Sequence, residues 1–192
     1  MNIYQPLLTT VTEVVDETAD TRTLRLEFQD EAVRRDFAFK AGQFGEYSVF
    51  GAGESTFCIA SSPTREGYIE CSFKAIGKVT TELREVNIGD TVGFRGPYGN
   101  WFPVDDWKGK DIVFIAGGIG LAPVRCVIWK CSPMSITKLS CSIRAVQANC
   151  NGTSSSWCVR PGSIVSCNWM NSSTLRRTLP SGCRVWTPTC VI

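Results

Sequence analysis

"DIVFIAGGIGLAPVR", residues 111–125, is the stretch whose reading decides the fold. Asp111 is followed by four apolar residues without alternation, the pattern of a strand buried on both faces, as in parallel sheets. The run passes into glycines and then into "LAPVRCVIW", an apolar helix start. Strand, glycine turn and helix, in that order, open a nucleotide-binding unit. Missing side chains let the backbone approach a pyrophosphate, and the helix N-terminus turns free N–H groups toward it. Gly117, Gly118, Gly120 and Pro123 are the candidate residues. The Gly-Lys-Ser/Thr ending of a Walker loop is absent. Taken alone, the stretch fits a phosphate cradle or a plain tight turn.

Toward the N-terminus the pattern is one of short strands. Apolar and polar residues alternate over 7–15 and again over 21–28, where Leu24, Leu26 and Phe28 oppose Thr23, Arg25 and Glu27. Further strands are expected at 44–49, 57–61, 68–75 and 91–95, with Gly, Pro or Asp at the turns, and one helix at 79–86. Six short strands in about a hundred residues point to an antiparallel barrel. The expected fold is therefore mainly β. A barrel over residues 1–106 precedes the truncated start of an α/β nucleotide-binding unit over 107–129.

Toward the C-terminus the character changes at Lys130. Residues 1–129 hold 13 Lys and Arg against all 18 Asp and Glu, a net of −5, whereas residues 130–192 hold 7 Lys and Arg and no acid. The formal charge of +2 sums two unlike segments, so it gives no support to nucleic-acid binding. The tail shows neither a strand nor a helix period and has 12 Ser in its 63 residues, too little apolar mass to offset its ordering entropy. It is expected to be disordered, and it reads like sequence translated from another reading frame. Its seven cysteines, at 131, 141, 150, 158, 167, 183 and 190, include no C-x-x-C pair, so no metal residues are assigned there.

The apolar run 112–129 is interrupted by glycines, Pro123 and Arg125, and the 13 residues before Arg125 are too few to span a bilayer as a helix. The first residues show no basic segment followed by an apolar core, so no export signal is expected. A cytoplasmic protein without a membrane span is the expectation.

Two further motifs carry chemistry. "STFCIASSP", residues 55–63, sets the Phe57 ring beside Cys58, with Ser61 and Ser62 following. It can be an ordinary barrel strand, or an aromatic packed on a planar ligand whose polar edge meets small side chains. "IGKVTTEL", residues 76–83, places Gly77, Lys78, Val79 and Thr80 at a helix start, a second anion site with a cation beside it, or a loop with a Thr near its cap.

In this order and spacing, "AGQF", "FCIASSP", "GKVTTEL", "GDTVGFRGPYGNWFP" and "DIVFIAGGIGLAPVR" resemble the ferredoxin–NADP reductase superfamily. Within it they are most similar to the gamma subunits of cytoplasmic hydrogenases and sulfhydrogenases and to the B subunit of anaerobic sulfite reductase. The resemblance runs over about residues 4–129 and implies a flavin-binding barrel, then a pyridine-nucleotide unit, then cysteines holding a [2Fe-2S] cluster. It implies electron transfer between NAD(P)H and a partner redox subunit of a hydrogenase or sulfite reductase complex. By position it implies that Phe57 and Cys58 contact the flavin ring, and Ser55, Thr56 and Ser61 are counted with them as cofactor-binding candidates. Gly77, Lys78, Val79 and Thr80 would hold the flavin phosphates, and Gly117, Gly118, Gly120 and Pro123 the nicotinamide nucleotide. Where the superfamily commonly has Arg, any residue, Tyr, Ser, this chain has Ser55, Thr56, Phe57, Cys58. The missing cation leaves FAD as the expected cofactor with FMN as the alternative. After residue 129 the resemblance ends and the cluster site is absent. The expected function is a flavin-dependent electron-transfer subunit impaired in this chain, or, alternatively, a non-catalytic flavin-binding or docking module.

Overall fold

The computed structural model describes residues 4–131 in full, and as backbone the strands Lys138–Arg144, Ser154–Arg160, Ser163–Cys167 and Arg184–Val185. Six antiparallel strands form the first sheet: β1 (Leu7–Asp16), β2 (Thr21–Phe28), β3 (Phe44–Val49), β4 (Gly53–Cys58), β5 (Tyr68–Lys74) and β6 (Thr91–Tyr98). They lie in the order β4-β3-β6-β1-β2-β5. Its two edge strands, β4 and β5, meet beyond the end of β4 at the bridge Ile59–Cys71 and the Ala60 N–H bond to the Glu70 carbonyl at 2.7 Å. The sheet thus curls into the expected barrel, with a seam between β4 and β5.

Alternation explains the interior. Leu24 and Leu26 are fully buried beside Ile69, Phe73, Val92 and Phe94, while Arg25 and Glu27 stay partly exposed on the other face. Burying a side chain of this size contributes about 1.5–3 kcal/mol. Gly45 is required here: a Cβ at that position would lie 2.2 Å from the Phe94 ring, so only glycine lets β3 cross the aromatic core.

Two elements differ from the sequence expectation. A helix α1 (Glu31–Asp36) lies between β2 and β3, where the sequence reading allowed none. Asp30 caps it, its Oδ1 accepting from the N–H groups of Ala32 at 2.8 Å and Val33 at 3.2 Å. At six residues it is too short for a helical period to register. Strand β4 begins at Gly53 rather than 57 because a tight turn pairs Val49 with Gly53 and carries the polar "GEST" into the ladder. Backbone pairing, without apolar alternation, makes that strand. The expected helix is α2 (Lys78–Glu85), which buries Thr80 and Leu83 against the barrel.

Beyond the barrel, Phe102 and a short 3-10 turn Val104–Trp107 lead into β7 (Asp111–Gly117), and a second 3-10 turn Gly118–Gly120 leads into α3 (Leu121–Cys131). Ile112 and Phe114 of β7 pack with Val124, Val127 and Cys131 of α3 in a second core, to which the barrel side contributes Ala41. The tail strands follow in order as β8 (Lys138–Arg144), β9 (Ser154–Arg160), β10 (Ser163–Cys167) and β11 (Arg184–Val185). β8 and β11 flank β7 in parallel, and β9 and β10 continue the sheet antiparallel from β8.

The sequence reading allowed no sheet beyond β7. The pairing needs no side-chain pattern, because β7 offers unpaired backbone groups along both edges to any extended segment. The expected disorder elsewhere in 130–192, like Cys150, Cys183 and Cys190, lies outside the described residues. Among the described residues no helix is long and apolar enough to cross a membrane.

Candidate functional site

Three predicted motifs gather around the β4–β5 seam. β5 leaves the barrel at Lys74, crosses at Ala75–Gly77 and enters α2, which packs against β3 and β4; the Gly118–Gly120 turn lies against β5.

On β4 the register sets Ser55 opposite the buried Tyr47 and Phe57 opposite Gly45. The Phe57 ring therefore turns toward the core, 5.7 Å from both the Tyr47 and the Phe73 rings, and is only partly buried. The same ring is a core contact and a surface at the seam. Thr56 faces outward, its Oγ1 donating to Glu46 at 2.8 Å. Cys58 ends the strand half-buried. Ser61 is buried, and its Oγ accepts the Glu70 N–H at 3.2 Å, so it ties the turn after β4 to β5. Arg95 is committed to Glu54, donating through Nε at 3.0 Å and holding that carboxyl below the usual range together with the Ser48 hydroxyl.

At α2 the cap residue is Gly77, which has no side chain to offer the first amides. Thr80 works inward instead. Its Oγ1 accepts from the N–H groups of Gly77 at 2.8 Å and Ile76 at 3.0 Å and donates to the Gly77 carbonyl at 2.9 Å. The Thr80 hydroxyl, expected at the phosphates, shapes the turn. The N–H groups of Lys78, Val79 and Thr80 have no partner among the described residues, and the exposed Lys78 has no acidic partner among them. Three free donors, the positive end of the helix dipole and one free ammonium fit a phosphate group.

The glycine turn is similarly open. Among the described residues nothing lies within 4 Å of where a Cβ would stand on Gly117, Gly118 or Gly120. Gly118 has φ +54, the left-handed region that β-branched residues avoid. Among the described residues no packing demands glycine at 117 or 120, so the absent side chains leave that side of the turn clear. That is the shape a phosphate-bearing ligand needs. Pro123 sits in the first turn of α3, where a missing N–H costs nothing, and its carbonyl receives the Cys126 thiol at 3.1 Å.

Sequence reasoning missed the charged group that joins these parts. Glu70, on β5, binds Arg25 of β2 at 3.0 Å and also Arg125 of α3, which in turn reaches Glu17 at 3.6 Å. A glutamate inside the apolar "YIECSF" was the signal that something opposite must be cationic. Burial pushes the Cys71 and Cys131 thiols up to about 12 and Cys126 up to about 11, so these three stay protonated near neutrality. No group of three His, Cys, Asp or Glu among the described residues could hold a metal ion.

A family model described as the oxidoreductase FAD-binding domain matches residues 8–102, from β1 through the exit from β6. Residues 8–102 are an oxidoreductase FAD-binding domain. The chain is 39% identical over 129 residues to the sulfhydrogenase 2 gamma subunit of Pyrococcus furiosus, covering 67% of this chain and 44% of that protein. It is 30% identical over 133 residues to a probable dihydroorotate dehydrogenase B (NAD(+)) electron transfer subunit of Methanocaldococcus jannaschii, covering 69% and 45%.

The ferredoxin-NADP+ reductase of Plasmodium falciparum, seen in an H286L mutant structure, shares the fold with TM-score 0.64 at 15% identity over 77% of this chain and 61% of that one. The chain spans less than half the length of the two curated relatives. Within this FAD-binding domain the donors at α2 are a feature that could hold a phosphate group.

Proposed function

We propose that the chain is the flavin-carrying part of an electron-transfer subunit, passing electrons between NAD(P)H and a partner redox subunit of the hydrogenase or sulfite reductase type. The observation that carries this reading is the placement of two glycine turns that open helices, Gly77 where the chain leaves β5 for α2 on β3 and β4, and Gly118–Gly120 against β5. In this reading residues 1–106 are the flavin barrel, 107–129 the start of a nucleotide-binding unit and 130–192 an aberrant tail. Bound flavin supplies the two-electron and one-electron redox chemistry. The chain's part is positioning: the α2 amides and Lys78 hold phosphates, Ser55, Thr56, Phe57, Cys58 and Ser61 flank the ring, and the glycine turn brings the nicotinamide nucleotide. A protein acid or base is not required for such transfer, consistent with a chain that contains no His. Among the described residues Cys58, Cys71, Cys126 and Cys131 stand outside any disulfide, which suits a reducing cytoplasm.

The test is to load the purified chain with FAD, reduce it with dithionite under nitrogen and add ferricyanide. Tight yellow protein that bleaches and recovers supports the reading, and a folded chain that binds no FAD sinks it. FMN in a parallel titration decides between the two flavins. The second reading, a non-catalytic flavin-binding or docking module, draws on the chain's short coverage of its relatives. It wins if bound flavin is reduced and no acceptor reoxidises it.

Two outcomes follow at the ring and in the tail. Phe57→Leu keeps apolar volume and removes the aromatic face, so it is expected to weaken flavin binding by about 1–2 kcal/mol while stability falls by less than about 1.5 kcal/mol. Calorimetry on apo and loaded protein separates the two; unchanged affinity with lowered stability makes Phe57 a core residue only. Anaerobic incubation with iron and sulfide is expected to give no [2Fe-2S] absorption, because no close cysteine pair exists in the tail sequence. A cluster spectrum lost on replacing a tail cysteine would overturn that.

A further inference from the structure

The second core fixes α3 to β7 and reaches the barrel side at Ala41 and Phe102. Beside the glycine turn, which lies against β5, another face of α3 carries Arg125 and Trp129 one turn apart. Both reach the barrel. Trp129 lies against Arg65, whose guanidinium is 4.7 Å from the ring centroid, and Arg125 meets Glu70.

Glu70 is placed for more than charge balance. Its side chain is only 11% exposed and stands between two guanidinium groups, with Oε1 accepting from Arg25 Nη2 at 3.0 Å and Nε at 3.2 Å and Oε2 accepting from Arg125. Its backbone binds the other side of the seam, the carbonyl taking the Ala60 N–H at 2.7 Å and the N–H donating to Ser61 Oγ at 3.2 Å. One residue therefore contacts the turn after β4, the wall of the barrel and the helix that follows the glycine turn. A carboxylate this buried is tolerated because two cations face it, and removing Arg125 leaves its charge to Arg25 alone.

We propose that Glu70 is the positioning residue that, through Arg125, docks the Gly117–Gly120 turn beside the strand end Cys58–Ser61 and so joins the flavin and nucleotide halves of the site. This rests on the reading of those two segments as half-sites, but its test needs neither cofactor. Hydrogen exchange is followed in the whole apo chain. Glu70→Gln is expected to speed exchange across 118–131 about tenfold while amides of β1, β3 and β6 keep their rates, because only the docked unit opens.

Arg125→Met should match it, the double variant should be no faster than the faster single, and Arg125→Lys should restore most of the protection, since its charge remains. If Glu70→Gln does not accumulate folded, Arg125→Met, which leaves the Arg25–Glu70 pair intact, carries the same expectation. Unchanged exchange in 118–131 overturns the proposal. So does equal acceleration throughout the barrel, the mark of a merely structural residue. Loss of flavin binding in the wild-type chain would instead strike the functional reading and leave this result standing.

Discussion

Gly77→Asp is expected to lower flavin affinity about a hundredfold while leaving the apo protein as stable as before or slightly more so. The opposite signs are the point. Gly77 has φ −137 and ψ 176, extended backbone open to any residue, and a Cβ there would meet the Thr80 hydroxyl at an ordinary 3.8 Å. An aspartate at this cap would accept from the free amides of α2, and replacing a glycine cap in this way is worth a few tenths of a kcal/mol, by the order of ~0.3. The same carboxylate would stand where the flavin phosphates are proposed to lie. Two like charges about 5 Å apart at an effective dielectric near 20 repel by about 3 kcal/mol, which corresponds to roughly a hundredfold in affinity. Isothermal titration with FAD and a melting curve of the apo protein are the measurements. Unchanged FAD affinity with a raised melting temperature would mean that α2 is capped but binds no phosphate.

Flavin bound to this chain is expected to bleach promptly with dithionite and only slowly with NADH or NADPH. Hydride transfer needs the nicotinamide held against the ring in near-attack geometry, an advantage worth about 7–11 kcal/mol when complete and lost steeply with small displacements. In the proposed reading the glycine turn and α3 would supply only the pyrophosphate end of such a site. The family match covers residues 8–102 and the sulfhydrogenase relative is matched over 44% of its length, so more than half of that relative has no counterpart in the matched residues. Stopped-flow mixing of FAD-loaded protein with either nucleotide reads the outcome directly. Prompt bleaching at substrate-like concentrations would show that the sheet formed by β8 to β11 around β7 completes the site.

Much of the barrel was legible in the sequence because its strands obey period two. Leu24, Leu26 and Phe28 against Arg25 and Glu27 state which face is inside before any partner strand is known. The same holds for β7 and the glycine turn, since a continuous apolar run followed by glycines leaves few local alternatives. Helix α1 and the first half of β4 were not legible. A single side chain cap makes the one, and backbone register with β3 makes the other, and neither writes a hydrophobic period.

By itself the sequence determined which motifs this protein carries: Phe57 and Cys58, Gly77 to Thr80, and Gly117 to Pro123, with their order and the mainly β frame around them. Only the tertiary structure decided what each one does locally. It turned the Phe57 ring toward Tyr47, closed the Thr80 hydroxyl onto its own turn, and left the amides after Gly77 without a partner among the described residues. It also brought Glu70 to Arg25 and Arg125, residues 45 and 55 positions away. The reason is one of range. Periodicity and turn chemistry act over a few residues, whereas the partner of a buried charge and the free side of a helix start are set by how strands far apart in the chain close around one core.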